Sequence, residues 1–230
     1  MAARTAAAPR SRAALRRPRA PRPAARPRRG TAAETRDRLL AAAASELNRV
    51  GYHGTDSNQL ARAAGYAPGT FYKHFPDKLA LFLAVYERWV TTEWTRVEAI
   101  VHRGGSAAAL AGAILASVLD MHRAWRGLRA SLRALVATDA TARSFYRAQR
   151  RRQLTRLAAL RAPRGGAHTV DDALLLFTLE RTCDAIADGE LQELGISPAV
   201  MAARLRTVIA AHIGGRARRE RSTPRSAARR

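Results

Sequence analysis

The stretch that decides the fold is Gly54–Phe75, which reads GTDSNQLARAAGYAPGTFYKHF. Its apolar positions fit two short helices, at about Ser57–Ala64 and Pro68–His74, joined by a tight turn at Gly65. Asp56 stands directly before the first of them and is followed three residues later by a glutamine, which is the spacing of a capping box. The stretch therefore predicts two helices set at an angle by a glycine turn.

Helical patterns fill most of the remaining chain, and strand signals are nearly absent. Apolar residues at four-residue spacing predict a helix over about Ala33–Val50, and Asp77 caps a long helix over about Lys78–His102. Further helices are predicted over residues 107–124, 126–136, 141–161, 170–188 and 198–213. Gly127 is among the residues interpreted as breaks between them. The sequence thus predicts an all-α fold of about nine helices.

Positive charge is concentrated at the two ends of the 230-residue chain, whose net charge is +23. Residues 1–30 contain ten arginines, five prolines and no acidic residue, and residues 214–230 contain seven arginines and one acid. This composition predicts a disordered Arg/Pro-rich tail over residues 1–30 and a disordered basic tail over residues 215–230. A chain this basic is expected to meet a polyanion, either nucleic acid or an anionic membrane surface.

Several classes of protein do not fit the composition. The single cysteine, Cys183, cannot form an intramolecular disulfide and is expected to be buried. The longest apolar run, Ala173–Leu179, is far shorter than the roughly 20 residues of a transmembrane helix, so no transmembrane helix is expected. The partner that we expect is nucleic acid and not a membrane. The histidines show no metal-binding or catalytic spacing, and no phosphate-binding glycine loop is present. We therefore expect a cytoplasmic protein without enzymatic activity, metal or cofactor.

The predicted helix over residues 68–74 has two different faces at 100° per residue. Phe71 and Phe75 lie on one face and belong in a core. The opposite face and its borders carry small or hydrogen-bonding side chains, namely Gly69, Thr70, Tyr72, Lys73 and His74. A lysine can donate to guanine and a threonine can meet a base edge, while tyrosine and histidine can donate to phosphate. This is the pattern of a helix-turn-helix whose second helix enters the major groove.

Other polar residues flank that helix and are predicted to contact phosphate. Thr55, Ser57 and Asn58 lie at the start of the preceding helix, and Lys78 lies at the start of the following one. Helix amino termini favour anions, which supports that interpretation.

At these residues the chain resembles a known family. Arg36–Tyr86 resembles the amino-terminal domain of the tetracycline-repressor (TetR) family of bacterial transcription regulators. The resemblance is carried by Gly51-Tyr52, Thr55, Leu60-Ala61, Ala64-Gly65, the run Gly69–Phe75 and Asp77-Lys78. It implies a nine-helix fold, a homodimer built on the last two helices and an effector pocket in the carboxy-terminal domain. It also implies phosphate contacts by Thr55, Tyr72, His74 and Lys78, and a groove-facing set of Gly69, Thr70 and Lys73.

The sequence and the resemblance together predict a DNA-binding domain over residues 31–78 and an effector-binding and dimerisation domain over residues 79–214. The predicted function is that of a ligand-responsive repressor, cytoplasmic and nucleoid-associated, which binds a palindromic operator as a homodimer. A small-molecule effector of unknown identity, expected to be partly apolar, would release it. The alternative is an architectural protein that binds double-stranded DNA without sequence preference through its basic tails.

Three features of the second half have more than one interpretation. The effector pocket is predicted from side chains that could equally form ordinary core, namely Met121, Trp125, Phe145, Tyr146 and Phe177. The run Arg150–Arg152 could attract an anionic effector or form a solvated helix face. Glu180, Asp184 and Asp188 recur every four residues, either to pair with arginines across a dimer or to face solvent. Apolar faces suited to a dimer bundle include Leu174, Phe177 and Ile186 on one helix and Val200, Leu205, Val208 and Ile209 on the next.

Overall fold

The computed structural model describes residues 30–161 and 167–222, so the predicted tail before Gly30 lies outside the described residues. Every regular element in the described part is a helix, which confirms the all-α prediction. The helices are α1 (Ala32–Val50), α2 (Ser57–Ala63), α3 (Pro68–Tyr72), α4 (Lys78–His102), α5 (Ala107–Ala124), α6 (Arg126–Thr138), α7 (Ala140–Arg161), α8 (Val170–Asp188), α9 (Glu190–Glu193) and α10 (Pro198–Ser222). The single turn α9, which follows Gly189 at φ 87°, is the element that the sequence did not predict.

The helix starts around the deciding stretch are fixed by local side-chain hydrogen bonds. Gln59 N donates to Asp56 Oδ1 at 2.8 Å, and Asp56 N donates to Gln59 Oε1 at 3.0 Å, which completes the predicted capping box. Gly65 has φ 80°, the left-handed conformation that the turn between α2 and α3 requires. Asp77 caps α4 by accepting from Ala80 N at 2.7 Å. These bonds set the angle at which α3 is presented.

Two of the helix ends that differ from the prediction affect the candidate site and the predicted tail. α3 ends at Tyr72, but Phe75 N still donates to the Phe71 carbonyl at 3.0 Å, so Phe75 stays on the core side. α10 continues through Gly214 and Gly215 to Ser222, so the tail predicted from residue 215 begins inside a helix. Each glycine costs a helix about 1 kcal/mol relative to alanine, which does not suffice to end α10. Residues 223–230 lie outside the described residues.

The helices enclose two apolar clusters joined by α4. The first lies among α1, α2, α3, α6, α7 and the start of α4, and includes Leu39, Phe71 and Phe82. The second lies among α5, α8, α10 and the end of α4, and includes Ile100. At 1.5 Å per residue, α4 is about 37 Å long, long enough to contribute to both clusters. A shift of α4 in one cluster would therefore also displace its side chains in the other.

A second contact between the amino-terminal helices and the later part of the chain is the α1–α6 joint, formed by Asn48, Tyr52, Ala124, Gly127, Leu128 and Ser131. Asn48 Nδ2 donates to the Ala124 carbonyl at 2.7 Å, and Leu128 N donates to Asn48 Oδ1 at 3.2 Å. Tyr52 N donates to Ser131 Oγ at 2.9 Å. Gly127 lies inside α6, not at a break, and its missing side chain allows the backbones of α1 and α6 to touch. The joint fixes the orientation of the first three helices on α6.

One helix of the described residues, α5, has the length and apolar composition of a membrane-crossing segment, which the sequence analysis did not anticipate. It packs against α4, α8 and α10. Its buried side chains Ile114, Leu115 and Val118 belong to the second apolar cluster. The same composition serves the core helix of a helical bundle.

Candidate functional site

The exposed side of the second helix in the pair is the α3 face, formed by Gly69, Thr70, Tyr72, Lys73 and His74. Tyr72 is 56% exposed, and Gly69 and Lys73 are also exposed, whereas Thr70 and His74 are half-buried. A Cβ placed on Gly69 would meet no atom within 4 Å, so the backbone here is open to close approach. Phe71 and Phe75 are buried on the opposite side. The face thus projects hydrogen-bonding groups outward from a fixed apolar base.

The residues predicted to contact phosphate differ in their exposure. Asn58 is exposed and Ser57 half-exposed in the first turn of α2, beside the α3 face. Thr55, in contrast, is only 5% exposed, so its side chain is less accessible to a phosphate than those of Ser57 and Asn58. Its backbone carbonyl accepts a hydrogen bond from Lys78 Nζ at 2.8 Å.

Lys78 has a structural role that sequence reasoning missed. Its Nζ donates to the carbonyls of Tyr52 and Thr55, at 2.9 and 2.8 Å, and lies 4.0 Å from the centroid of the Tyr52 ring. Partial burial lowers the pKa of Lys78. Two of its three N–H groups therefore fasten the loop before α2 to the start of α4, and one remains for an external acceptor.

Two cavities lie among the later helices. The first, here the apolar cavity, has a volume of about 360 Å³ and is lined mainly by aliphatic side chains of α4, α5, α7, α8 and α10, together with Trp94. The second, here the polar cavity, has a volume of about 280 Å³ and is lined by aromatic and charged side chains of α4 to α8. Three polar side chains, Glu93, Gln153 and Glu180, line both, so the cavities meet at this point.

The predicted effector-pocket residues divide between cavity and core. Tyr146 and Phe177 line the polar cavity, but none of the five lines the apolar cavity. Met121 is core, and its sulfur accepts from Arg96 Nη1 at 3.0 Å. Trp125 and Phe145 are half-buried and pack against the first apolar cluster. Three of the five therefore line neither cavity, because aromatic or methionine character alone does not distinguish a cavity wall from filled core.

The acidic side chains that recur along α8 form ion pairs with arginines of the same chain. Asp184 accepts from Arg133 at 2.7 Å and also pairs with Arg129, and Asp188 accepts from Arg133 at 2.9 Å. These arginines belong to α6. The sequence left two interpretations of Asp184 and Asp188 open, pairing across a dimer and exposure to solvent. In the structure these side chains instead form ion pairs between α6 and α8.

Arg150 also forms an ion pair within the chain, so it is neither a solvated cation nor free to attract an anionic effector. It pairs with Glu180 and donates to Tyr146 Oη at 2.8 Å, and its guanidinium lies 4.5 Å from the Tyr146 ring centroid. The ion pair with Glu180 joins α7 to α8 beside the polar cavity.

Glu93 is a buried carboxyl that forms no ion pair with these arginines. It is 7% exposed, and it lies beside His122, with His122 Nε2 3.6 Å from Glu93 Oε1, which is beyond hydrogen-bond distance. Burial, reinforced by the Glu180 charge, raises the pKa of Glu93 to about 8. Burial beside Arg129 lowers the pKa of His122 to about 3, so the imidazole is neutral at pH 7. At that pH, Glu93 is mainly a neutral hydrogen-bonding group.

We expect the stability of the protein to fall between pH 6.5 and 8 because of Glu93. The folded state keeps the Glu93 proton up to about pH 8, whereas the unfolded chain releases it near 4.5, so the stabilisation is lost as pH rises. His122 acts in the opposite direction, but only below its unfolded pKa of 6.5. Urea unfolding at several pH values should give a decline of at most about 1.4 kcal/mol per pH unit. Glu93→Gln should flatten it, whereas the control Glu87→Gln, on the exposed side of α4, should not; an unchanged slope in Glu93→Gln would contradict this prediction.

The whole arrangement is shared with solved structures. SCO4454, a TetR-family transcriptional regulator from Streptomyces coelicolor, has a TM-score of 0.58 at 20% identity, and the match covers 80% of this chain and 96% of that one. The transcriptional regulator FadR from Bacillus subtilis, solved in complex with stearoyl-CoA, has a TM-score of 0.55 at 16% identity, covering 78% and 98%. Likeness at these identities establishes the fold.

The deciding observation comes from the amino-terminal helices. The family model for bacterial regulatory proteins of the tetR family matches residues 39–85. The amino-terminal part of the chain therefore matches the tetR family. The HTH-type transcriptional activator FasR of Mycolicibacterium smegmatis (strain ATCC 700084 / mc(2)155) is 40% identical over 72 residues, which are 30% of this chain and 33% of FasR. The match thus spans about a third of the length of that relative.

The described part of the chain combines this helix-turn-helix with a helical carboxy-terminal part that contains both cavities. Within the described residues, no three His, Cys, Asp or Glu side chains are grouped to hold a metal ion. Cys183 is fully buried, as predicted, and burial raises the pKa of its thiol to about 12.

Proposed function

We propose that the protein is a ligand-responsive transcription repressor in which α3 reads base edges in the major groove. The observation that carries the proposal is the α3 face, exposed above buried Phe71 and Phe75. Lys73 would donate to guanine and Thr70 would meet a base edge, while Gly69 admits the DNA backbone closely. Tyr72, His74, Asn58 and Ser57 would contact phosphate. The DNA-binding domain would be residues 31–78, and the effector-binding and dimerisation domain would be residues 79–214.

The distribution of charge supports sequence-specific binding over the architectural alternative. Residues 31–103 hold nine basic and eight acidic residues, whereas the two terminal segments hold most of the excess charge. Specific recognition would therefore depend on a few donors on the α3 face. The terminal arginines would add nonspecific attraction, which speeds encounter and is sensitive to salt.

A homodimer would form through α8 and α10. Leu174 and Phe177 on α8 and Val200 and Val208 on α10 are exposed. Ile186, Leu205 and Ile209, which the sequence assigned to the same faces, are buried in the protein's own core and would not contribute. Two copies of α3 would then reach half-sites about 34 Å apart on a palindromic operator.

The apolar cavity would hold a small-molecule effector, consistent with the stearoyl-CoA complex of FadR. α4 lines the cavity and also begins beside α3, and the α1–α6 joint offers a second connection. An effector that favours one position of α4 would change the spacing of the two α3 helices and release the operator. The protein would act in the cytoplasm, associated with the nucleoid, and not as an enzyme.

The proposal is tested by selecting an operator from a random duplex library with the full chain and then measuring the affinity of variants. We expect Lys73→Ala to weaken binding to the selected site by about 1–3 kcal/mol and to relax base preference at one position of each half-site. The matched control is Arg147→Ala, which removes one exposed cation from α7. It should leave the affinity nearly unchanged.

Two outcomes would favour the architectural alternative. One is a selection that yields no consensus sequence. The other is an equal loss of affinity in Lys73→Ala and Arg147→Ala, since bulk charge would then account for binding.

A further inference from the structure

The point where the two cavities meet contains a buried carboxyl that indicates a ligand class. Glu93 stands there on α4, nine-tenths buried, with its carboxyl facing both cavities and no hydrogen-bond partner among the described residues. Buried polar groups are nearly always hydrogen-bonded, and an exception calls for an explanation. A ligand group that contacts the carboxyl would provide one.

The cations around the polar cavity are already engaged. Each lining arginine has a carboxylate partner: Arg129 with Asp184, Arg133 with Asp184 and Asp188, Arg150 with Glu180, and Arg181 with Glu190. A buried anion needs a free cation or several donors to replace its hydration. The polar cavity therefore offers a carboxylate ligand no unpaired cation.

The apolar cavity has the opposite electrostatic character. Among its described lining residues there is no lysine or arginine, and its one histidine, His212, lies 3.1 Å from Asp172. Its carboxyls are Glu93 and Glu180, and Glu180 is already neutralised by Arg150. The indole of Trp94 lies on the same wall, one position along α4, and aromatic faces attract cations.

We propose that the effector is an apolar amine, whose ammonium group pairs with Glu93 while its hydrocarbon part fills the apolar cavity. This inference rests on the proposed function, and it specifies the ligand class within it. The pair is buried, so both partners lose hydration, and their attraction is correspondingly strong. An alkylammonium stays charged up to about pH 10, as lysine does. Below pH 8 Glu93 must ionise to accept it, and one proton is released to solvent for each ligand bound.

The test is calorimetric titration of the full chain with three ligands of equal length: n-decylamine, n-decanol and decanoate, each below its micelle concentration. We expect the amine to bind most tightly and decanoate most weakly. Glu93→Gln, which keeps the shape and removes the charge, should weaken the amine by roughly 30-fold or more and leave decanol nearly unchanged. Urea unfolding of the same variant verifies that it folds. Glu87→Gln is the control that should bind like the parent.

A second measurement on the unmodified chain does not depend on any variant. Amine affinity should rise up to about tenfold per pH unit towards pH 8 and then level off, whereas decanol affinity should stay flat. The charged and titratable groups near Glu93 lie on five helices: Tyr86 on α4, His122 on α5, Arg129 on α6, Arg150 on α7, and Glu180, Cys183 and Asp184 on α8. Of these, His122 titrates well below this range.

The inference is overturned if decanol or decanoate binds as tightly as the amine, or if the amine does not bind. It is also overturned if amine affinity is independent of pH between 6.5 and 8. These titrations use the protein without DNA, and the Lys73→Ala assay uses DNA without effector. Failure of the ligand class is therefore distinguishable from failure of the proposed DNA-binding function.

Discussion

Phe71→Ala is expected to destabilise the protein by about 3–5 kcal/mol and to abolish operator binding at the same time. Phe71 is completely buried, with its ring centroid 5.9 Å from that of Phe75 and 5.2 Å from that of Tyr72. α3 has only five residues and cannot hold its conformation without that anchor. Urea unfolding followed by circular dichroism gives the first quantity, and fluorescence anisotropy with a labelled operator gives the second.

The matched control is the neighbouring aromatic residue. Tyr72→Ala removes an exposed ring from the same helix, so it should weaken DNA binding while changing stability by less than about 0.5 kcal/mol. If Phe71→Ala retained operator affinity within twofold of the parent, α3 would not be the reading helix.

Gly127→Ala is expected to cost about 3 kcal/mol of stability and to loosen the α1–α6 joint. A Cβ at this position would collide with the backbone carbonyl of Asn48, which no side-chain rotation can relieve. Overpacking of this kind typically costs 1–3 kcal/mol, and here the main chain must move. Because the joint connects the reading helices to α6, effector and operator binding should become less coupled. The readout is the ratio of operator affinities with and without effector.

Gly112→Ala is the control for the glycine substitution itself. Gly112 also lies within a helix, but a Cβ there would come no closer than 3.8 Å to Arg206 Cδ. It should be neutral or stabilise by up to about 1 kcal/mol. Equal effects of the two substitutions would show that the close approach of α1 and α6 is not required.

Local signals explain why the helix boundaries near the deciding stretch were predictable. Asp56 and Asp77 each cap a helix through the residue three positions further on, and Gly65 adopts the conformation that its turn needs. Such contacts are encoded within a few residues, so sequence spacing suffices. The alternation of Phe71 and Phe75 with the α3 face is equally local.

The interior of the carboxy-terminal part could not be predicted in the same way. Glu93, His122, Arg150 and Asp184 come from four helices and meet only when those helices pack. From the sequence, Arg150 and Asp184 looked like surface charges, because nothing local shows that their partners lie across the fold. The structural role of Lys78 was missed for a related reason. Every residue has a carbonyl acceptor, so a sequence does not show which carbonyls a lysine will bind.

The engagement of Lys78 has a practical consequence for chemical labelling. The chain contains two lysines, Lys73 and Lys78. One ammonium is tied to the Tyr52 and Thr55 carbonyls, and the other stands exposed on α3. The two lysine side chains are therefore in different environments, and modification of Lys73 reports on the α3 face. Its protection by duplex DNA, quantified by mass spectrometry, would map the contact surface without any substitution.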